Sequence, residues 1–411
     1  MFLIVLFQES IADNDSDYNL KQLPIKLLHA GKKDKTINIA IVGDGYINKD
    51  LVLKGKYESD CERVVKAFLK KTPFQQYQDY FKIYAIYAES YDRGAEDNPG
   101  EDKKKNILDS TLETNPDEIL KERTVKLQKP ERLRQIIKNG WIKNFNIIWV
   151  MVNDNRRAGA GAILEYNNEQ IPAPVFTIGG DFENRALHEF GHSFANLGDE
   201  YVDYPMIKTY PLPAQEDLTQ PNLTLVTVGI TDTKDSLIKT LKWGHFLELP
   251  GAEGVIGAYS GGYYRPKGIY RSQADCFMRT FNSNVDFCYV CQEAIVRTIY
   301  QRVGLAFDDK EYHRGNPIKI KVKQDYLTLL ESDTNDYFDD LFKDTEKSLK
   351  TAEDKNAVVK PIEQIIEDYA QWLEKPGFIS TLPIKNPQRL NTLVTDLRNR
   401  LKNLKKLHKI E

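Results

Sequence analysis

The stretch 145–154, FNIIWVMVND, constrains the fold more than any other part of this 411-residue chain. Its apolar core is nearly unbroken, whereas a strand with one wet face alternates apolar and polar residues. A strand of that kind is covered on both faces, so the chain must build layers around it. Three more segments read as strands: TINIAIVG at 36–43, YFKIYAIYAES, and VFTIGG at 175–180. Between the first two, ESDCERVVKAFLKK places Val64, Val65, Phe68 and Leu69 on one side of a helix. Strands alternating with helices predict an α/β layer fold.

Composition narrows the partners. Hydrophobic residues make up 41% and charged residues 28%, as in soluble globular proteins. A net charge of −3 supplies no basic surface for nucleic acid or an anionic membrane. No run approaches the roughly eighteen apolar residues of a spanning helix. The N-terminal MFLIVLFQES reads in two ways, as the tail of a secretory signal peptide or as a short buried strand. Residues 94–125, rich in Lys, Glu, Asp and Asn, read as an exposed insertion, and 153–162, NDNRRAGAGA, as a flexible loop. After about residue 305 the segments become long, charged and amphipathic. The expected organisation is a signal remnant over 1–20, a main domain over 21–305 and a helical C-terminal extension over 306–411.

Chemistry concentrates in ALHEFGHSFANLGDEY, residues 186–201. His188 and His192 are spaced i, i+4, so both imidazoles lie on one helical face and can reach one zinc ion. Glu189 follows the first histidine and can serve as general base toward a metal-activated water. A chance H-E-x-x-H is rare in a chain with 6 histidines, and here it follows a strand, a Gly turn and an acidic helix start. Two histidines need a third ligand. In metzincin peptidases the helix stops soon after the second histidine, and a His or Asp arrives ten residues after the first. Here that position is Gly198, Ala195 stands where the turn glycine is usual, and Asn196 follows. Asn tolerates the left-handed conformation that ends a helix. The turn is therefore displaced by one residue, which makes Asp199 the expected third ligand and Glu200 the runner-up. Met278, in QADCFMRTF, is the candidate for a Met-turn under the metal site, against plain core filling.

The motif HEFGHSFANLGDEY, followed by YYRPKGIYRSQADCFMR and FCYVC, resembles the M64 family of zinc metallopeptidases, known for bacterial immunoglobulin A peptidases. IAIVGDGYINKD, TPFQQYQDYFKIYAIYAES and IIWVMVNDNRRAGAGA resemble earlier segments of that family in the same order. The resemblance covers roughly residues 36–300. It implies a metzincin-like catalytic domain with a twisted mixed sheet, an active-site helix and a Met-turn. It also implies a bound zinc ion, peptide-bond hydrolysis, a protein or peptide substrate such as an immunoglobulin or other glycoprotein, and secretion or attachment to the bacterial envelope. The site residues carried over are His188, Glu189, His192, Asp199 and Met278. The segment 94–125 and the helices after 305 depart from the family pattern, so substrate preference does not transfer.

Further residues carry open readings. Peptidases of this kind need a donor for the oxyanion of the tetrahedral intermediate, and Tyr270 is a candidate beside a structural role. Arg271 and Arg279 are candidates for bonding the Asp199 loop, Glu200 or the substrate. His245 reads as structural, and Asp44 as a turn cap. Cys276, Cys288, Cys291 and Cys61 permit a structural zinc site built on Cys-x-x-Cys, or a disulfide from Cys276 to Cys288 or Cys291. The disulfide suits an extracellular enzyme better. The leading expectation is a secreted, monomeric zinc endopeptidase. The alternatives are an inactive peptidase fold that binds extracellular glycoproteins, and an intracellular processing peptidase.

Overall fold

The computed structural model describes residues 5–7, 20, 23–97, 104–112, 125–139, 145–166, 169–214, 216–225, 233–319, 326–373 and 387–410. The chain forms two compact units. The first comprises residues 1–197, 281–287 and 291–308; the second comprises 198–280, 288–290 and 309–411.

The first unit is built on a six-stranded mixed sheet. Its strands are β1 (Ile25–His29), β2 (Ile37–Asp44), β3 (Phe81–Ile86), β4 (Ile147–Val152), β5 (Gly159–Ala160) and β6 (Val175–Thr177), in the order β1-β3-β2-β4-β6-β5. The pairs β3–β2, β2–β4 and β4–β6 are parallel, and the two outer pairs are antiparallel. All six residues of β4 are buried, as its unbroken apolar run requires. Alternation along the strand explains why. Ile148, Val150 and Val152 enter one apolar cluster with Ala40, Val42, Leu108, Leu112 and Leu133. Trp149 points the other way, with its ring centroid 5.4 Å from those of both Phe68 and Phe190.

Phe68 lies on helix α1 (Lys56–Lys70), which connects β2 to β3, and Phe190 lies on helix α2 (Phe182–Ala195). Phe74, Phe81, Phe194 and Phe287 complete an aromatic layer between these helices and the sheet. Large buried rings dominate core energetics, so α2 rests on a firm floor.

Two expectations are corrected here. The described part of 94–125 is not an exposed insertion. Asn106, Ile107, Leu108, Ser110, Thr111 and Leu112 are buried. Residues 98–103 and 113–124 of that segment lie outside the described residues. The cause is Asp44, fully buried at the end of β2. Its carboxylate accepts bonds from the backbone N–H groups of Leu108 (2.9 Å) and Ser110 (3.0 Å). Asp44 thus anchors a distant segment in addition to the Gly45 backbone of its own turn. The second correction concerns 153–162. Gly159 and Ala160 are not free loop: they form β5, the terminal strand of the sheet, antiparallel to β6. At the N-terminus, Val5–Phe7 pairs in parallel with Ala162–Leu164; most of the remainder of 1–20 lies outside the described residues.

The second unit holds a three-stranded antiparallel sheet and a set of helices. Strand β9 (Arg265–Arg271) lies between β7 (Leu223–Thr224) and β8 (Tyr259–Gly262). Helices α4 (Tyr326–Leu349), α5 (Lys355–Leu373) and α6 (Pro387–His408) pack through Leu330, Phe338, Ile362, Ile366, Leu393 and Leu397. Their amphipathic spacing gives each an apolar stripe that only a neighbour can cover. Helix α3 (Tyr289–Arg302) follows Cys288, and from Cys291 on it belongs to the first unit. Among the described residues no helix is long and apolar enough to cross a membrane.

Candidate active site

Helix α2 presents both histidines of the motif. His188 and His192 are buried, with their Nε2 atoms 2.9 Å apart and their rings nearly perpendicular. The spacing i, i+4 brings them to one face. The chain end of the helix then sets the chemistry of the second ring. Asn196 takes the left-handed conformation (φ 51°, ψ 37°), as its type and position predict, and its N–H bonds to the Gly191 carbonyl. The following residue, Leu197, turns its carbonyl to His192 Nδ1 at 2.6 Å. A ring nitrogen facing a carbonyl must carry the proton, so Nε2 keeps its lone pair. Nitrogens bound to one zinc at 2.0–2.1 Å in tetrahedral geometry lie roughly 3.3 Å apart. The observed 2.9 Å comes within a few tenths of an ångström of that, so the pair fits such an ion.

Glu189 is half-buried under the sheet edge. A Cβ at Gly159 would come within 2.5 Å of Glu189 Oε1, and one at Gly161 within 2.8 Å of His192 Cβ. Glycines therefore let the edge strand pass directly over the histidine–glutamate face. Arg185, one turn before Glu189, donates to the carbonyls of Thr177 and Gly179. Burial lowers its pKa, and the nearby Glu189 charge opposes that. Phe281 packs its ring 4.1 Å from His188 while remaining 44% exposed.

Asp199 lies in the second unit, two residues after Leu197. It is buried, and its Oδ2 accepts a bond from the Tyr264 hydroxyl at 2.7 Å. Tyr264 was not foreseen. It sits in the two-residue turn joining β8 to β9, where Tyr263 and Tyr264 both have positive φ (49° and 68°). Turns of this type usually carry Asn-Gly, because side chains resist that backbone region. Here the turn also receives the loop: Tyr263 N–H bonds to the Asp199 carbonyl, and Tyr264 N–H to that of Tyr201. Burial first, then the Asp199 charge, push the Tyr264 phenol well above its usual range, so it remains a donor.

Glu200 points elsewhere. Its carboxylate accepts from Asn222 Nδ2 at 2.8 Å, and its backbone N–H bonds to the Met278 carbonyl at 3.0 Å. Neither expected arginine is its hydrogen-bond partner. Arg271 donates to the carbonyls of Ser260, Gly261 and Ala274, and Arg279 pairs with Asp333 and Asp275. Burial raises the Glu200 pKa well above the carboxylate range, and the neighbouring Cys288 adds to it. Asn222 was also missed: it brackets Gly198 through both backbone groups, at 2.7 and 2.9 Å. Gly198 itself has no room for a Cβ, which would lie 2.4 Å from Leu223.

Met278 is fully buried in a tight turn, with the Arg279 N–H bonded to the Cys276 carbonyl. Tyr270 is buried on β9, paired with Ser260 and Thr224. His245 lies beside Phe246 and His313, ring centroids 4.7 and 5.8 Å away. None of the four cysteines is in a disulfide, so the expected bond at Cys276 is absent from the structure.

Two imidazoles converge here, with the Glu189 carboxylate beside them at a sheet edge. The family model described as IgA Peptidase M64 matches residues 25–253 and 247–299, and the chain belongs to that family. It is a peptidase of a metallopeptidase family, with protein or peptide substrates. A comparison with curated proteins finds no match.

Proposed function

We propose that the chain is a zinc-dependent endopeptidase of the metzincin type, with His188, His192 and Asp199 as zinc ligands and Glu189 as general base. The observation that carries this reading is the His192 ring, locked by Leu197 so that its Nε2 lone pair faces His188 Nε2. By chain continuity, Asp199 is the first carboxylate after the helix end that Asn196 and Leu197 turn back. The buried turn at Met278 takes the place of the Met-turn.

A zinc ion held by these residues would supply a water whose pKa falls to about 7. The protein groups do the rest. Glu189 takes the proton of the attacking water and returns it to the leaving amide nitrogen. Strand β5, last in its sheet, offers backbone groups on which an extended substrate can add as a further strand. Phe281, exposed beside His188, gives an apolar wall for a substrate side chain. Tyr270 remains the candidate oxyanion donor. Export from the cell, with immunoglobulin-like glycoproteins as substrates, belongs to the same proposal.

The test is a digest of a peptide library by the purified chain, before and after a strong chelator. Cleavage should vanish with chelation and return with zinc. Cleavage that survives complete zinc removal would overturn the reading. A second expectation follows from Tyr264. Tyr264→Phe removes the donor that orients Asp199, and such partners hold metal affinity by roughly 10–100-fold. Competition against a chromophoric chelator measures it, and an unchanged affinity would detach Tyr264 from the metal.

A further inference from the structure

A second buried group of metal-ligating side chains lies apart from the histidine pair. In the second unit Glu200, Cys276 and Cys288 each offer a ligand atom, all within 4.8 Å of one another. Their exposures are 0%, 0% and 3%. Cys288 Sγ lies 3.8 Å from Glu200 Oε1, and Cys276 Sγ receives the backbone N–H groups of Cys288 at 3.2 Å and Met278 at 3.4 Å. Cys291 follows Cys288 by three residues, on the first turn of α3. We propose that Glu200, Cys276 and Cys288 hold a structural zinc ion.

Charge and donor chemistry support it. Thiolates and a carboxylate oxygen are donor types that zinc accepts. Backbone N–H groups aimed at a sulfur favour the thiolate over the thiol. Helix N-termini do the same, and Cys288 directly precedes α3. The N–H bonds to the Cys276 sulfur argue for a metal over the disulfide that spacing alone suggested.

Such an ion would tie three parts together: the loop that begins with Asp199, the Met278 turn and the start of α3. The Glu200 N–H bond to the Met278 carbonyl already joins the first two. The site does not depend on the peptidase reading, and its test is chosen accordingly. The double variant His188→Ala/His192→Ala removes the catalytic pair and leaves every thiol in place. Exchanged into cobalt, it should still bind about one metal ion per chain and show intense near-ultraviolet thiolate-to-cobalt charge-transfer bands. Imidazole and carboxylate ligands alone give no such bands, so the signal belongs to the cysteines. Adding Cys276→Ser and Cys288→Ser should abolish both metal and bands. The inference is overturned if the histidine variant, folded by circular dichroism, binds no cobalt or binds it without thiolate bands. It is equally overturned if non-reducing peptide mapping of the unmodified chain finds Cys276 bonded to Cys288 or Cys291.

Discussion

Glu189→Gln should keep the full metal content of the chain and lower turnover by about a hundredfold or more. The amide matches the carboxylate in size, so the close fit of the side chain beneath Gly159 survives. What disappears is the ability to take a proton from the attacking water. Neither histidine changes, and His192 keeps the Leu197 carbonyl that fixes its tautomer. Metal analysis paired with kcat on a cleaved peptide separates the two quantities. Turnover within a few-fold of the parent would remove Glu189 from the mechanism.

Asp199→Ala should release the catalytic metal, with activity falling by at least the margin of Glu189→Gln. A two-histidine set leaves zinc short of the three protein ligands that catalytic sites use. The neighbouring Glu200 cannot substitute, because Asn222 holds its carboxylate and its N–H is committed to Met278. Glu200→Ala should therefore act differently, sparing the histidine-bound metal and lowering the thermal midpoint. If Asp199→Ala keeps its metal and Glu200→Ala loses the histidine-bound ion, the ligand assignment is reversed. Calorimetry and metal analysis of the two variants, side by side, decide it.

The sequence foretold those features that depend on local chemistry. An unbroken apolar run such as 147–152 has one stable solution, a strand covered on both faces, and β4 adopts it. Asn196 stands where a helix must turn and is a residue that tolerates φ above zero. The misses arise where distant groups override composition. Residues 94–125 look exposed by composition, yet Asp44 draws the amides of Leu108 and Ser110 inward from more than sixty positions away. Asn222 binds Gly198 across 24 positions, with no periodic signal to announce it. Tyr263–Tyr264 resembles strand, since aromatic pairs favour strands and turn rules look for Asn-Gly. Arg271 and Arg279 looked like partners for an acidic loop, but carbonyls and Asp333 claim them first.

That tyrosine turn has an evolutionary consequence. Two adjacent side chains in the left-handed region each carry a standing conformational penalty of about 1–2 kcal/mol. Asn-Gly at 263–264 would relieve it and give a hardier hairpin. It would also delete the phenol that meets Asp199. Mutational drift toward greater robustness is therefore opposed at this one corner, where the easier backbone and the better-placed carboxylate exclude each other. Lineages under heat or protease pressure would have to gain their tolerance elsewhere, for example in the apolar seams among α4, α5 and α6, where substitutions leave the ligand corner untouched.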